Sequence, residues 1–596
     1  VDTKIAVLAL GSTLYPDFCR AGIQLEQKLS KAGGQKFVQI TKADDATDSE
    51  PTVANWLHLI KRLVMPSHIE AQLKLQAGTN SDPIEYKIRW GNVSNSVDEN
   101  SIEVDNSKDP FPRFEWSDEE SFLCVRNDEL ISNGDIESRS TRFITFALPN
   151  QMTYESGDHL AVHPLNSLDM VRRFVGCFTE ELKESALRGG PCPFSESSAL
   201  VAWQLRQPFA IDAIEDGNVL PAQLPFNTPT TLSKALQAHI DLSLRSGSVT
   251  DLLTLVCESL EKAPEKLSTA NQEKKKKILN LHCQVFDKSN ITSKAGVESF
   301  ISQYPTIVDF LEEFCALLCS KLENENTHQN PLLSLAQMIM LLPRLQTRYY
   351  SISSSPKDDP SKVSITVGVL NTKTSAGVRL SGVCSNYIAR LRPMKDRVRF
   401  SIRKSSFRGP TKLSSPVIMI GAGTGLAPMM GFLSDREHEM NAPGGSGVIG
   451  GCHLFFGCRT EEERLYPSTI DHWEQTQVLK HHLALSREPN SPKTYVQDLL
   501  DRFGAELCQL LMQSDTHYYI CGDSKVADYC FESCVNALRK HGKMSRVSAV
   551  QHIKFMRSQG RWQYDLWGII SHFNDAKRDV RKKKQATAKT WLLNFS

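Results

Sequence analysis

At 596 residues the chain is too long for one compact domain, so three or four folded units are expected. Its 40% hydrophobic and 23% charged content is that of an ordinary soluble globular protein. A formal net charge of +1 supplies no global field for nucleic acid or an anionic membrane, which removes the simplest nucleic-acid reading. The fifteen cysteines are scattered, odd in number and without a CxxC pair. Cys315/Cys319 and Cys530/Cys534 are spaced to share a helix face, as core residues rather than metal ligands. Reduced thiols in a large chain fit an intracellular, cytoplasmic protein. The opening VDTKIAVLALGSTLYP has neither a basic n-region nor a cleavage site.

Residues 1–65 begin directly on a strand-like run, IAVLAL, followed by the amphipathic run GIQLEQKLSKAGG and its glycine stop. A chain that opens on a buried-looking strand is expected to be a fragment with earlier strands upstream. Residues 66–115 are polar and irregular, and read as a linker. Short alternating segments over 116–170 (SFLCVRND, RFITFALP, YESGDHLAVHP) predict antiparallel strands, and the pattern returns over 344–412. Between them, 171–343 is helical in pattern, with a lysine run, NQEKKKKIL, that reads as a solvated helix face. A β-barrel interrupted by a helical insertion explains this order. Residues 413–567 alternate apolar strands with helices and predict a parallel α/β unit. The uncharged stretch 413–434 is long enough for a membrane span, but GAGTGLAP breaks it into strand, turn and helix. Residues 568–596 form a tail with a basic middle and an apolar end. The expected class is a multidomain α/β protein with a β-barrel.

Several local patterns carry chemistry. In PVIMIGAGTGLAP an apolar strand runs into Gly421, Gly423, Thr424 and Gly425, with Pro428 where a helix begins. Unpaired amides at such a helix start suit a phosphate, although alone the loop is equally a plain tight turn. In ALSREPNSPKTYVQ, residues Ser486, Arg487, Lys493 and Tyr495 gather hydroxyls and cations after a strand. That is the chemistry a ribose 2′-phosphate needs, where an NAD site offers an acid; a solvated basic loop is the plainer alternative. Arg348, Tyr349, Tyr350 and Ser351, with Gly382, Val383, Cys384 and Ser385, combine a cation for a pyrophosphate, a stacking ring and a hydroxyl for a flavin. Cys521 and Asp523 end the strand YYICGD, where ligands gather in open α/β sheets. Asp565 and Trp567 close GRWQYDLWG.

Taken in this order, RYYSISSS, GVCSNYI, GAGTGLAP, FFGCR, LSREP with KTYVQ, YYICGD and DLW resemble the diflavin reductase family. That family includes NADPH–cytochrome reductases, sulfite reductase flavoproteins, nitric oxide synthase reductase halves and the C-terminal module of pyruvate:NADP oxidoreductase. The resemblance covers nearly the whole chain. It implies an NADPH-dependent oxidoreductase in which hydride passes to FAD and single electrons pass through FMN to a haem or other redox protein. A ferredoxin–NADP reductase with one flavin, or the reductase module of a larger fused enzyme, is the alternative. It implies an FAD site at Arg348, Tyr350, Ser351 and 382–385, and a nicotinamide-cofactor loop at 421–424. It also implies a 2′-phosphate site at Ser486, Arg487, Lys493, Tyr495 and Gln497, and a hydride-transfer group of Ser351, Cys521 and Asp565 with Trp567 as aromatic cover. Residues 1–65 resemble the C-terminal part of the family's flavodoxin-like FMN domain, with Tyr15 at the ring-stacking position and Asp44/Asp45 at the ribityl position. The family's FMN phosphate loop has no counterpart in this stretch. Gly-Ala-Gly replaces the family's usual Gly-Pro-Gly, and FRGP its FRLP. The tail reads either as a disordered basic extension or as a segment that slows electron transfer. The expected partner is a redox acceptor or a fused upstream domain, with no nucleic acid and no transmembrane segment.

Overall fold

The computed structural model describes residues 4–11, 19–36, 38, 40–44, 56, 85–90, 114, 116–117, 120–131, 139–149, 151–188, 197–215, 218–221, 224, 230–244, 246–261, 267–286, 293–319, 331–442 and 450–567. At the start, β1 (Leu8–Gly11) and β2 (Thr41–Asp44) pair in parallel, connected through helix α1 (Arg20–Lys31). Gly22 lets that helix seat on the sheet, because a Cβ there would stand 2.4 Å from the Cβ of Ala9. Tyr15, Asp45 and the side chain of Asp44 lie outside the described residues, as does the tail from 568 onward.

Part of the expected linker is a strand. In β3 (Glu85–Trp90) the alternating Tyr86, Ile88 and Trp90 pack against the core of the helical region. The sequence reading missed this because the polar residues around the strand dominate the window. Next come β4 (Phe122–Glu129), β5 (Thr141–Ala147) and β6 (His159–Val162). The chain then enters the helical region through α2 (Leu168–Cys177), capped by Ser167 accepting from the Met170 amide. Here β7 (Pro208–Glu215) pairs antiparallel with β3, so this region contains a small sheet as well as helices.

Helices α3 (Ser246–Glu261), α4 (Thr269–Val285), α5 (Ile307–Leu318) and α6 (Leu335–Leu341) bury one shared apolar cluster. The lysine run lies in α4. Lys275 Nζ donates to the Leu260 carbonyl at 3.0 Å and Lys277 pairs with Glu313, so the run fastens α4 to its neighbours and is not merely solvated.

Strands return as β8 (Arg348–Ser351) and β9 (Lys362–Gly368), followed by helix α7 (Val383–Ala389), β10 (Arg397–Val398) and β11 (Phe400–Arg403). They complete two antiparallel sheets, β8-β6-β11 and β9-β5-β4-β10, around one core that includes Phe146, Leu160, Ile352 and Phe400. The bridge between Ile352 and Ile365 ties the two sheets together.

The last unit holds β12 (Val417–Ala422), α8 (Ala427–Asn441), β13 (Cys452–Cys458), β14 (Lys480–Leu485), α9 (Val496–Arg502), β15 (His517–Asp523), α10 (Ser524–Lys540) and β16 (Trp562–Trp567). Its five strands are all parallel, in the order β14-β13-β12-β15-β16. Ile418 and Ile420 face one apolar layer while Val417 and Met419 face the other, so the sheet is covered on both sides. Cys530 and Cys534 are buried in α10, and every cysteine among the described residues is a free thiol. No helix among the described residues is long and apolar enough to cross a membrane.

Candidate functional site

The parallel sheet reverses its winding at β12, which is flanked by β13 and β15, and open sheets gather ligands at such a point. The glycines there have separate tasks. Gly423 adopts φ +55°, with nothing within 4 Å of where its Cβ would be, so this backbone faces open space. A Cβ on Gly425 would fall 2.1 Å from the Cys521 carbonyl oxygen, so only glycine lets the loop lie against β15. A short 3-10 turn, Gly423–Leu426, then leads into α8, with Pro428 in its first turn. The expected strand, turn and helix are therefore present, and Thr424 and Ala427 line a cleft.

That cleft, of about 410 Å³, is bounded on its other side by His159, Tyr349, Tyr350, Ser351, Gly368 and Arg403 from the antiparallel sheets. Its size suits a ring-bearing ligand. Asp565 lies within it and joins the two sides. Ser351 Oγ donates to Asp565 Oδ2 at 2.6 Å, and the Cys521 thiol approaches the same oxygen at 3.7 Å. His159 Nε2 meets the other oxygen, Oδ1, at 3.0 Å. Burial opposes ionisation of Asp565, but the bond and charge of His159, then the bonds from Ser351 and Cys521, outweigh it and hold the carboxyl below its ordinary range. Burial, then the neighbouring carboxylate, pushes the Cys521 thiol well above its usual value, so it stays protonated.

The RYYS strand and the GVCS helix also meet. Tyr350 and Cys384 are hydrogen-bonded through their side chains, and burial raises the Cys384 thiol to about 12. Ser385 Oγ accepts the Leu370 amide at 3.1 Å, and a Cβ on Gly382 would lie 2.7 Å from that oxygen. Tyr349, 52% exposed, carries the Arg403 guanidinium 4.8 Å over its ring. Arg348 donates to the Gln346 carbonyl at 2.6 Å, close to the Cys384 side. Here the chain offers a hydroxyl-lined, arginine-bordered slot beside two tyrosine rings, a donor set that fits a flavin and its pyrophosphate.

A second cluster forms where β14 leaves the sheet. The amides of Ser486 and Arg487 are anchored on the carbonyls of Cys458 and Arg459, at 3.1 and 2.7 Å. Lys493 Nζ lies 5.1 Å over the Tyr495 ring, and Tyr495 caps α9 with its amide on Asp498. Arg459 was not among the residues singled out from sequence. Its pKa is lowered by burial and then by the charges of Arg139 and Arg487, so three guanidinium groups crowd one corner. The Glu488 carboxylate is turned away onto the Glu461 amide, at 2.8 Å. Arg139 is paired with Glu463 at 2.6 Å, and the cations beside it still fit a dianion. Gln497 contributes its carbonyl to Ser533 at 3.4 Å, and Asp523 caps α10 through the Lys525 amide at 2.8 Å. Trp567 pairs with Asp523 in the strand register, and its side chain lies outside the described residues.

Comparison with known proteins accounts for the order of these parts. Residues 2–56 match the flavodoxin family, 326–387 the FAD binding domain family and 419–531 the oxidoreductase NAD-binding domain family. A nitric oxide synthase-like protein of Bombyx mori is 27% identical over 98% of this chain and 49% of its own length. An NADPH–cytochrome P450 reductase of Drosophila melanogaster is 27% identical over 94% of this chain and 74% of its own length. Along nearly its whole length the chain is similar to the diflavin reductases. It spans about half the length of the synthases it resembles, including the inducible nitric oxide synthase of Bos taurus, of which it covers 45%. The three matched families point to FAD, NADPH and FMN as the cofactors.

Two residues, Arg459 in the cation cluster and His159 in the cleft, escaped sequence reasoning. Arg459 sits inside FFGCR and was legible as a cation following a strand. His159 gave no signal, since GDHLAVHP reads only as a strand.

Proposed function

We propose that this chain takes hydride from NADPH onto FAD and sends electrons singly, through FMN, to a haem or other redox-protein acceptor, separate or fused upstream. The observation that carries this reading is the meeting of Ser351, Cys521 and Asp565 at one cleft, although they come from two different units. The two antiparallel sheets are read as the FAD β-barrel, held apart in sequence by the helical insertion. Arg348, Tyr349, Tyr350 and residues 382–385 would hold FAD; Gly421, Gly423, Thr424 and Gly425 would hold the nicotinamide cofactor's pyrophosphate. Ser486, Arg487, Lys493 and Tyr495, joined by Arg459, would hold the 2′-phosphate. Gln497 and Asp523 flank the nicotinamide cofactor, and Trp567 is assigned as the aromatic cover. When bound, the flavin accepts hydride and releases electrons one at a time, which no side chain can do.

The protein's part is orientation and charge. Ser351 commits its proton to Asp565, so it offers the cleft oxygen lone pairs. Cys521 supplies a neutral thiol, because burial keeps it protonated. Asp565 stays ionised, which favours the electron-poor nicotinamide ring that remains after hydride has left. The flavodoxin match favours a two-flavin protein over a single-flavin reductase. The purified chain should be yellow, release FAD on denaturation, and bleach near 450 nm on anaerobic addition of NADPH. A colourless chain that takes up no added FAD would overturn the reading. The FAD:FMN ratio shows whether this chain alone retains FMN, and FAD alone is expected.

A further inference from the structure

Beyond the three residues just assigned, a fourth side chain closes the group. His159 stands on β6, the central strand of the sheet β8-β6-β11, with Ser351 and Arg403 as its cross-strand partners. Two hydrogen-bonded ladders therefore set its position. Its neighbour Asp158 is completely buried and accepts the Ser405 amide at 3.0 Å, the Glu155 amide at 3.0 Å and the Arg408 guanidinium. The His159 ring reaches across the unit boundary to Asp565, and both side chains are only 12% exposed. An ionised carboxylate can only accept, so Nε2 carries the proton in this bond.

Asp565 sits on an edge strand, paired only with β15 among the described residues. Without His159, one of its oxygens has no partner and the carboxylate is free to turn about its own axis. With His159, Oδ1 is occupied and Oδ2 is left for Ser351 and Cys521. We propose that His159 is a positioning residue for hydride transfer, orienting Asp565 and through it the Ser351 hydroxyl. This rests on the hydride reading above.

The test uses H159A, H159Q, D565N and the double variant H159A/D565N in the full chain loaded with FAD. NADPH-driven reduction is followed at 450 nm under single-turnover conditions. H159A should slow reduction roughly tenfold or more, the scale of one charge-assisted hydrogen bond, with FAD content and the KM for NADPH little changed. H159Q retains a donor at similar reach and should recover most of the rate. In the D565N background H159A should do little further, since the two act as a unit. A rate unchanged in H159A, an equal loss in H159Q, or losses that multiply in the double variant would overturn the assignment. Thermal unfolding of the flavin-free proteins gives a second cycle that does not depend on the cofactor. Coupling between positions 159 and 565 is expected there, and additive shifts would count against the pair. If the wild-type chain takes up FAD but is not reduced by NADPH, the hydride reading fails instead, and the thermal cycle still reports on the pair.

Discussion

At the residue scale, the cation corner after β14, proposed above to hold the 2′-phosphate, should separate two kinds of nicotinamide cofactor. Burial, then the charges of Arg139 and Arg487, lowers the pKa of Arg459, and the acid between β14 and α9 is occupied by a backbone amide. A dianionic 2′-phosphate relieves that crowding, while a neutral 2′-hydroxyl does not. Arg487→Ala should raise the KM for NADPH roughly tenfold to a hundredfold and leave that for NADH nearly unchanged, in steady-state assays with an artificial acceptor. Equal effects on both cofactors would place the 2′-phosphate elsewhere. The sequence made this corner legible because hydroxyls and cations crowd within a dozen positions. It could not show His159, whose partner is 406 residues away along the chain. Ser351 and Asp565, 214 apart, were linked only through family resemblance, never through spacing.

At the scale of elements, β13 and β14 carry a pair of histidines with a measurable consequence. His453 Nδ1 and His482 Nε2 are 3.2 Å apart, and the His482 ring stacks on Phe455 with centroids 4.3 Å apart. Burial, reinforced by neighbouring charge (His482 and Lys480 on His453, Lys480 and His481 on His482), pushes both down to about 4 from an ordinary 6.5. The folded protein thus keeps them neutral where the unfolded chain would protonate them. Their contribution is fully present above pH 6.5 and is lost as pH falls towards 4. Melting temperature should therefore fall between pH 6.5 and 5, and His482→Asn should flatten the slope by about one proton. An unaltered slope would mean that the pair does not titrate in this way. Strand and helix types were legible from periodicity. The exception, β3, is a six-residue strand inside a polar stretch, and its alternation becomes meaningful only beside β7.

For the whole molecule, the question is what holds the FAD-binding and NAD-binding units together. Gln563 on β16 makes a reciprocal pair with the backbone of Arg408, accepting its amide at 2.8 Å and donating to its carbonyl at 3.0 Å. Arg408 in turn grips the buried Asp158. Two residues further along the same strand, and so on the same face, Asp565 reaches His159. Gln563→Ala should cost about 1–2 kcal/mol, since it leaves a backbone pair unsatisfied. In calorimetry it should also separate the melting of the two units. A single, unshifted transition would show that other contacts govern the docking. The change from antiparallel to parallel strands was legible in the pattern along the chain. The way they grip one another was not, because FRGP and GRWQYDLWG carry no mark of their meeting.

The short strand Trp562–Trp567 thus belongs to the NAD-binding sheet by its ladder and to the FAD-binding unit by the side chains of Gln563 and Asp565. Recombination between relatives feels this double allegiance. A chimaera joined at the domain boundary near residue 413 would inherit the carboxylate from one parent and its histidine from the other. Exchanges of that kind should succeed only when the donor of β6 matches the donor of β16, whatever the similarity of the rest.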